Sequence, residues 1–299
     1  MSAGHHHHSG SVGRVRAAFF LNVAFTVVEV VGGILSGSIA ILADAVHDLG
    51  DTVSLGAALV LEKRAQQRPN KRFSYGYRRL SAISALLTGT VLLVGSVFMI
   101  IASISRFSEP GQPHGWAMLG LAVFGVGVNG VASWYLSRGA TANERILKWH
   151  LLEDVLGWCA VLVGSLLILV LDWTWIDPVL ALAISGFVIW NVFRNLAKTM
   201  GLFLQEVPAG VDLERLEQSI ESLDGVLDVH DLHVWSLDGE HHVLSCHTVA
   251  ESATEPEALK RSIRERIGRH GRFHVTIELE FQGEACIENC SPESSTGDG

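Results

Sequence analysis

Six apolar runs decide what this chain can fold into: 17–36, 39–62, 81–105, 115–137, 146–171 and 176–197. A helix needs roughly 20 apolar residues to cross the hydrocarbon core of a bilayer, and each run is long enough. In lipid every backbone N–H and C=O must be satisfied within its own segment, so runs of this kind become transmembrane helices. The connections carry the orientation. Arg14 and Arg16 precede the first run, and seven Lys/Arg lie between Lys63 and Arg79. Arg138, Arg145 and Lys148 stand between the fourth run and the body of the fifth, and Arg194 and Lys198 close the sixth. The opposite-side connections hold only Arg106, Glu109, Asp172 and Asp177. Cationic loops stay cytoplasmic, which places both termini inside, as an even number of crossings requires. The first run is too long for a signal-peptide core, and no convincing cleavage site follows it.

The composition agrees and then breaks. Mean hydropathy is +0.33 and 18% of residues are charged, against about 25% in soluble domains. Residues 1–198 hold 15 Lys+Arg against 11 Asp+Glu, a net of +4; residues 199–299 hold 7 against 20, a net of −13. An acidic segment lacks the basic face that nucleic acid demands, so no nucleic-acid partner is expected. Within it, 213–223 and 256–270 have helical spacing, while 226–237, 241–250 and 273–281 alternate as strands do. The expected fold is an α-helical membrane protein with six transmembrane helices, plus a C-terminal α+β cytoplasmic domain of order αββαβ. Its divisions are a His-containing tail 1–13, a membrane domain 14–199, the cytoplasmic domain 200–283 and a flexible tail 284–299. The four histidines at 5–8 are either a purification tag or a native metal-gathering tail. Cysteines 159, 246, 286 and 290 are too few for a disulfide scaffold and read as reduced thiols. Cys286 and Cys290 either add metal ligands or sit idle on the tail.

Ionisable residues cost several kcal/mol at the bilayer centre, so they mark function there. SIAILADAVHDLGDTVSLG (38–56) carries Asp44, His47, Asp48 and Asp51, and HLLEDVLGW (150–158) carries His150 and Asp154. His47/Asp51 and His150/Asp154 are both i, i+4 pairs, each stacked on one helix face. Two such faces together offer two imidazoles and two carboxylates, a tetrahedral set that suits zinc. Hydrogen-bonded ion pairs between helices are the bland alternative; the repetition of H-x3-D in two spans weighs against it. Asp48, one step off the ligand face, reads as a partner of the ligands or of water. Asp44 lines the access path or accepts a histidine N–H. Glu153 points elsewhere, and Glu29 and Asn22 read as interhelical hydrogen-bonding residues.

LNVAFTVVEVVGGILSGSIAILADAVHDLGD, FSYGYRRLSAISALLTG, HLLEDVLGW and HDLHVWSL resemble the cation diffusion facilitator family, over residues 14 to 282 or so. The resemblance implies a divalent-cation efflux transporter rather than an enzyme, working as a homodimer. It implies that His47, Asp51, His150 and Asp154 hold the transported ion, and histidine at the first and third of these positions resembles the zinc-transporting branches. It also implies a metallochaperone-like cytoplasmic domain binding regulatory zinc through residues like His230, His247 and Glu280. His233, Cys286 and Cys290 are further candidates. Ser81 departs from the glutamate of many members, and Glu153 from a common glycine.

Metal ligands bind deprotonated, so protons compete for the same lone pairs. A histidine with an ordinary pKa near ~6.5 exchanges one for the other at neutral pH. The expected activity is zinc-for-proton antiport by alternating access, out of the cytoplasm across a bacterial inner membrane. Cadmium, cobalt and iron(II) are alternative cargoes, because ligand type alone does not separate them. The competing readings are an intramembrane zinc hydrolase, which would want an open coordination position and a general base, and a membrane zinc sensor that does not transport.

Overall fold

A computed structural model describes residues 8–62, 64, 67–109, 111–136 and 142–282, without the side chains of 8–18, 58, 62, 135–136 and 142–150. Six long helices form the membrane part: α1 (His8–Ser36), α2 (Ile39–Ala57), α3 (Leu80–Ser108), α4 (Gly115–Leu136), α5 (Ala142–Leu171) and α6 (Ile176–Phe203). All of them except α2 contain a stretch long and apolar enough to span a bilayer. What sets α2 apart is acid: Asp44, Asp48 and Asp51 fall within its 19 residues. Beyond Ala57 the chain widens into a π-helical turn, Ala58–Glu62. α6 runs past the expected 197 because no proline interrupts it before Pro208. Leu35 and Val170 are 78% and 77% exposed, a cost in water that hydrocarbon removes.

The turn between α1 and α2 is tight. Gly37 takes a left-handed φ of 66°, and its N–H and that of Ser38 donate back to Ile34 and Gly33 carbonyls, which ends α1 as glycine commonly ends helices. Ser38 Oγ donates to Asp177 Oδ1 at 2.5 Å, and the N–H groups of Ile39 and Ala40 donate to the same carboxylate at 2.8 and 3.2 Å. A side chain of α6 thus caps the first turn of α2, satisfying donors that a helix start leaves open. The core joins Ile39, Ile41 and Ala43 of α2 to Met99, Met118, Ala122, Trp158 and Val161. Gly125 lets α4 and α5 close up, since a Cβ there would stand 2.2 Å from the Trp158 ring.

The second compact unit gathers residues from 198 onward together with the connection 68–82. It contains α7 (Leu213–Glu221), β1 (Val226–Ser236), β2 (His242–Ala250), α8 (Pro256–Gly268) and β3 (Phe273–Phe281). This is the expected αββαβ order, with a sheet ordered β1-β2-β3. β1 and β2 pair antiparallel; β2 and β3 pair parallel, with α8 as the crossover. Leu216 and Ile220 of α7 and Leu259, Ile263 and Ile267 of α8 pack on Val229, Val234, Leu244, Cys246 and Ala250 of the sheet. Burial pushes the Cys246 thiol up, so this cysteine is inert packing. Alternation then sends His230, His247 and Glu280 to the face without helices.

The 68–82 connection is tied to the strand domain at two points. Arg78 Nη1 donates to Asp238 Oδ2 at 3.2 Å, and the Tyr75 ring meets His274 edge-on at 5.8 Å. Burial works against the charged form of Asp238, but the N–H groups of His241 and Glu240 and the Arg78 guanidinium outweigh it and hold its pKa below the usual range. The Arg78 side chain is 40% exposed, so the pair contributes less than about 1 kcal/mol. Arg78→Gln is therefore expected to leave the melting temperature nearly unchanged while amide hydrogen exchange in 68–79 quickens; unaltered exchange would show that the pair does not hold the loop.

Candidate metal centres

Metal-ligating side chains approach one another in both units, more closely in the strand domain than in the membrane unit. In the membrane unit, α2 places His47 and Asp51 one turn apart, and α5 brings in Asp154. His47 Nε2 stands 3.9 Å from Asp51 Oδ2 and 3.9 Å from Asp154 Oδ1. The three side chains are 20%, 23% and 11% exposed. Two atoms bound to one zinc at about 2.0 Å in a tetrahedron stand about 3.3 Å apart. His47 comes near that distance from each carboxylate, but the three ligand atoms do not draw together as the strand-domain trio does, and α2 and α5 would have to close up for all three to share one ion. His150 lies one turn before Asp154 on α5, the position from which a fourth ligand would join; its side chain is outside the description. No lysine or arginine occurs in Ile39–Ala57 or Leu151–Leu171, and the basic side chain beside both carboxylates is His47.

The surrounding polar residues divide. Asn22 Nδ2 donates to the Asp48 carbonyl at 3.0 Å and to Thr52 Oγ1 at 2.9 Å, which fixes α1 against α2. Asp48 and Asp44 are each 6% exposed, and Asp44 Oδ1 packs near Gly157, one turn beyond Asp154. Glu29 is wholly buried, no backbone, amide or hydroxyl donor among the described residues reaches its carboxylate oxygens, and its hydrogen-bonding neighbour across the helix pair is the carboxyl of Asp48.

In the strand domain His230 pairs across the ladder with His247. Ligand atoms of His230, His247 and Glu280 all lie within 4.8 Å of one another. Glu280 Oε1 is 2.8 Å from His247 Nδ1, and Oε2 is 3.6 Å from His230 Nε2. Strand register alone pairs His247 with Glu278; it is Glu280, one step further on the same face, whose carboxylate reaches back. Two aspartates that sequence reasoning passed over complete the surroundings. Asp228 Oδ2 lies 3.1 Å from His230 Nδ1. Asp231 lies 2.9 Å from His233 Nε2 through one oxygen and 3.8 Å from His247 Nε2 through the other. The repeated D-x-H of DVHDLH was the available signal, because residues two apart on a strand share a face. His233 is on the same side only because a bulge falls between His230 and His233, where Asp231 takes a φ of 51°. The His233 side chain is 63% exposed. Cys286 and Cys290 lie outside the described residues, as do the histidines at 5–7.

Against known proteins, residues 15–204 match the family model described as the cation efflux transmembrane domain. The chain belongs to the cation diffusion facilitator family. Residues 208–282 match the cation efflux protein cytoplasmic domain, so the two matches cover both structural units. Among relatives, the zinc transporter ZitB of Pectobacterium atrosepticum is 34% identical over 282 residues, 93% of this chain and 88% of that one. ZitB of Escherichia coli is 32% identical over 274 residues, 90% and 87% of the two chains. The cadmium, cobalt and zinc/H(+)-K(+) antiporter of Bacillus subtilis is 30% identical over 287 residues, 93% and 92%.

Proposed function

We propose that this chain exports divalent cations, zinc foremost, from the cytoplasm in exchange for protons, with His47, Asp51, His150 and Asp154 as the transported-ion site. The observation that carries this is one imidazole nitrogen equidistant, at 3.9 Å, from carboxylates on two different membrane helices. A site split between α2 and α5 can be opened to either side by moving one helix against the other. Facing the cytoplasm, the ligands shed protons and take the metal; facing outward, protons reclaim the same lone pairs and the metal leaves. In a bacterial inner membrane with both termini cytoplasmic, inward proton movement adds roughly 2.3 kcal/mol per charge per 100 mV. The relatives named for zinc, and for cadmium, cobalt and zinc against protons and potassium, support this cargo range. The membrane domain is 14–199 and the cytoplasmic domain 200–283, and the protein acts as a homodimer. The test is zinc flux into proteoliposomes under an imposed pH gradient. Zinc binding without any flux in a well-folded protein would sink the reading and turn attention to a sensor or a metalloenzyme.

His230, His247 and Glu280 bind a second, regulatory zinc in the cytoplasmic domain. Their side chains are 19%, 11% and 13% exposed, so the ligands are pre-arranged and partly dry. Even the loss of an outer partner costs a metal site ~10–100-fold in affinity. His247→Ala is therefore expected to remove one zinc per chain from equilibrium binding to the full-length protein, with flux at saturating zinc retained. Unchanged stoichiometry would remove the second site.

A further inference from the structure

Asn22, Thr26 and Glu29 recur at i, i+4 and i+7, so they form one polar stripe along α1. The first two are fixed to α2: Asn22 donates to the Asp48 carbonyl and to Thr52 Oγ1, and Thr26 and Thr52 hydroxyls lie 3.4 Å apart. α1 and α2 are joined by a tight turn and run antiparallel. One turn further along α1 therefore comes level with Asp44 and Asp48 on α2, and Glu29 is there, 0% exposed. No backbone, amide or hydroxyl donor among the described residues lies within hydrogen-bond reach of either of its oxygens. The side chain that pairs with it is the Asp48 carboxyl, and two carboxyls can share a hydrogen bond only when one of them holds a proton. The ionisable groups that face it are all acids: Asp48 and Asp44 of α2, and within electrostatic reach Asp154 of α5. α4, which also packs on α1, contributes no acid, lysine, arginine or histidine. An ionised carboxylate in such surroundings would lack counter-charge and any donor but another acid, at a depth where a lone charge costs several kcal/mol, whereas the neutral acid can donate to Asp48 and does not incur that cost.

We propose that Glu29 is a resident proton carrier of the exchange, holding a proton in the metal-free site and releasing it when the cation binds beside it. This rests on the antiport reading and deepens it. When zinc binds from the cytoplasm, its positive charge favours the carboxylate; the Glu29 O–H bond breaks and the proton leaves to the cytoplasm. With the site facing outward, a proton taken from that side re-forms the O–H bond as the metal departs. Glu29 does not coordinate the metal in this scheme. It supplies one unit of negative charge only while the metal is present, so the empty site does not carry an unpaired carboxylate through the membrane.

Protons released per zinc bound, measured by titration of the full-length protein in weak buffer, decide the matter. Glu29→Gln keeps the shape and stays neutral. It is expected to release about one proton fewer per zinc than wild type and to cut pH-driven flux about tenfold, while Glu29→Asp recovers the released proton. Equal release from Glu29→Gln and wild type overturns the proposal. Should the glutamine variant fail to fold, wild type and Glu29→Asp answer together. The part of the protonated-carboxyl stretch in the infrared difference spectrum that Glu29→Asp shifts is expected to vanish on zinc addition to wild type, and its persistence overturns the proposal. If wild type itself moves zinc with no protons in exchange, the antiport reading fails instead, and the two failures are told apart.

Discussion

Asp154→Ala is expected to abolish zinc flux in proteoliposomes and to lower zinc affinity at the membrane site about a hundredfold or more, since even outer-shell losses reach that size. Two effects add. At the proposed site the metal loses an oxygen ligand, which stands 3.9 Å from His47 Nε2, leaving an open position. The site also loses one of its two negative ligand charges, so a bound zinc would leave a net positive charge within the membrane, where a lone charge costs several kcal/mol. Asp154→Asn separates these effects, because it keeps the volume and an oxygen but not the charge; it is expected to be nearly as damaging. Stability should move the other way. Glu29, Asp44, Asp48, Asp51 and Asp154 crowd together with no lysine or arginine on the facing stretches of α2 and α5, so removing one acid relieves repulsion in the metal-free protein. The melting temperature without zinc is expected to hold or rise, and the rise that zinc gives wild type to disappear. Wild-type flux from Asp154→Ala would remove the paired site from the mechanism.

Some of this was legible in the chain because it depends on local periodicity. The apolar runs became helices, and H-x3-D at 47–51 put His47 and Asp51 on one face because i and i+4 stack in any α-helix. The αββαβ order followed from alternation between periods of 3.6 and 2. What escaped depends on contacts distant in sequence or on single backbone angles. The left-handed φ of Asp231 brings His233 round to the face of His230, and no residue in DVHDLH announces it, since aspartate at such an angle is uncommon. Glu280 is indicated only by the family resemblance; strand register by itself sets Glu278 opposite His247. Glu29 reads as one more polar residue in an apolar helix until its neighbours prove to be acids too. The union of 68–82 with the strand domain involves Arg78 meeting Asp238, 160 residues on, and Tyr75 meeting His274.

Asp177 is the sharpest case of such a distant contact, and Asp177→Ala carries the second large expected effect. In the sequence it is one acid in a short connection. In the structure both of its oxygens accept from the start of α2: Ser38 Oγ, Ile39 N and Ala40 N, three residues that are 0%, 5% and 0% exposed. Truncation leaves these donors buried without an acceptor, and each orphan costs about 1–3 kcal/mol unless water enters. A loss of about 3 kcal/mol, with a melting temperature lower by roughly 5–10 °C, is the expected result. Asp177→Asn keeps one acceptor and loses the charge, so it should fall between alanine and wild type. The defect differs in kind from that of Asp154→Ala. α2 carries His47 and Asp51, and its outer end is held to α6 only through this carboxylate among the described hydrogen bonds. Asp177→Ala should therefore lose stability while the protein that remains folded binds zinc with nearly wild-type affinity. A variant as stable as wild type would show that water replaces the cap; one that is stable yet blind to zinc would make Asp177 part of the metal path, and the helix anchor would be the wrong account of it.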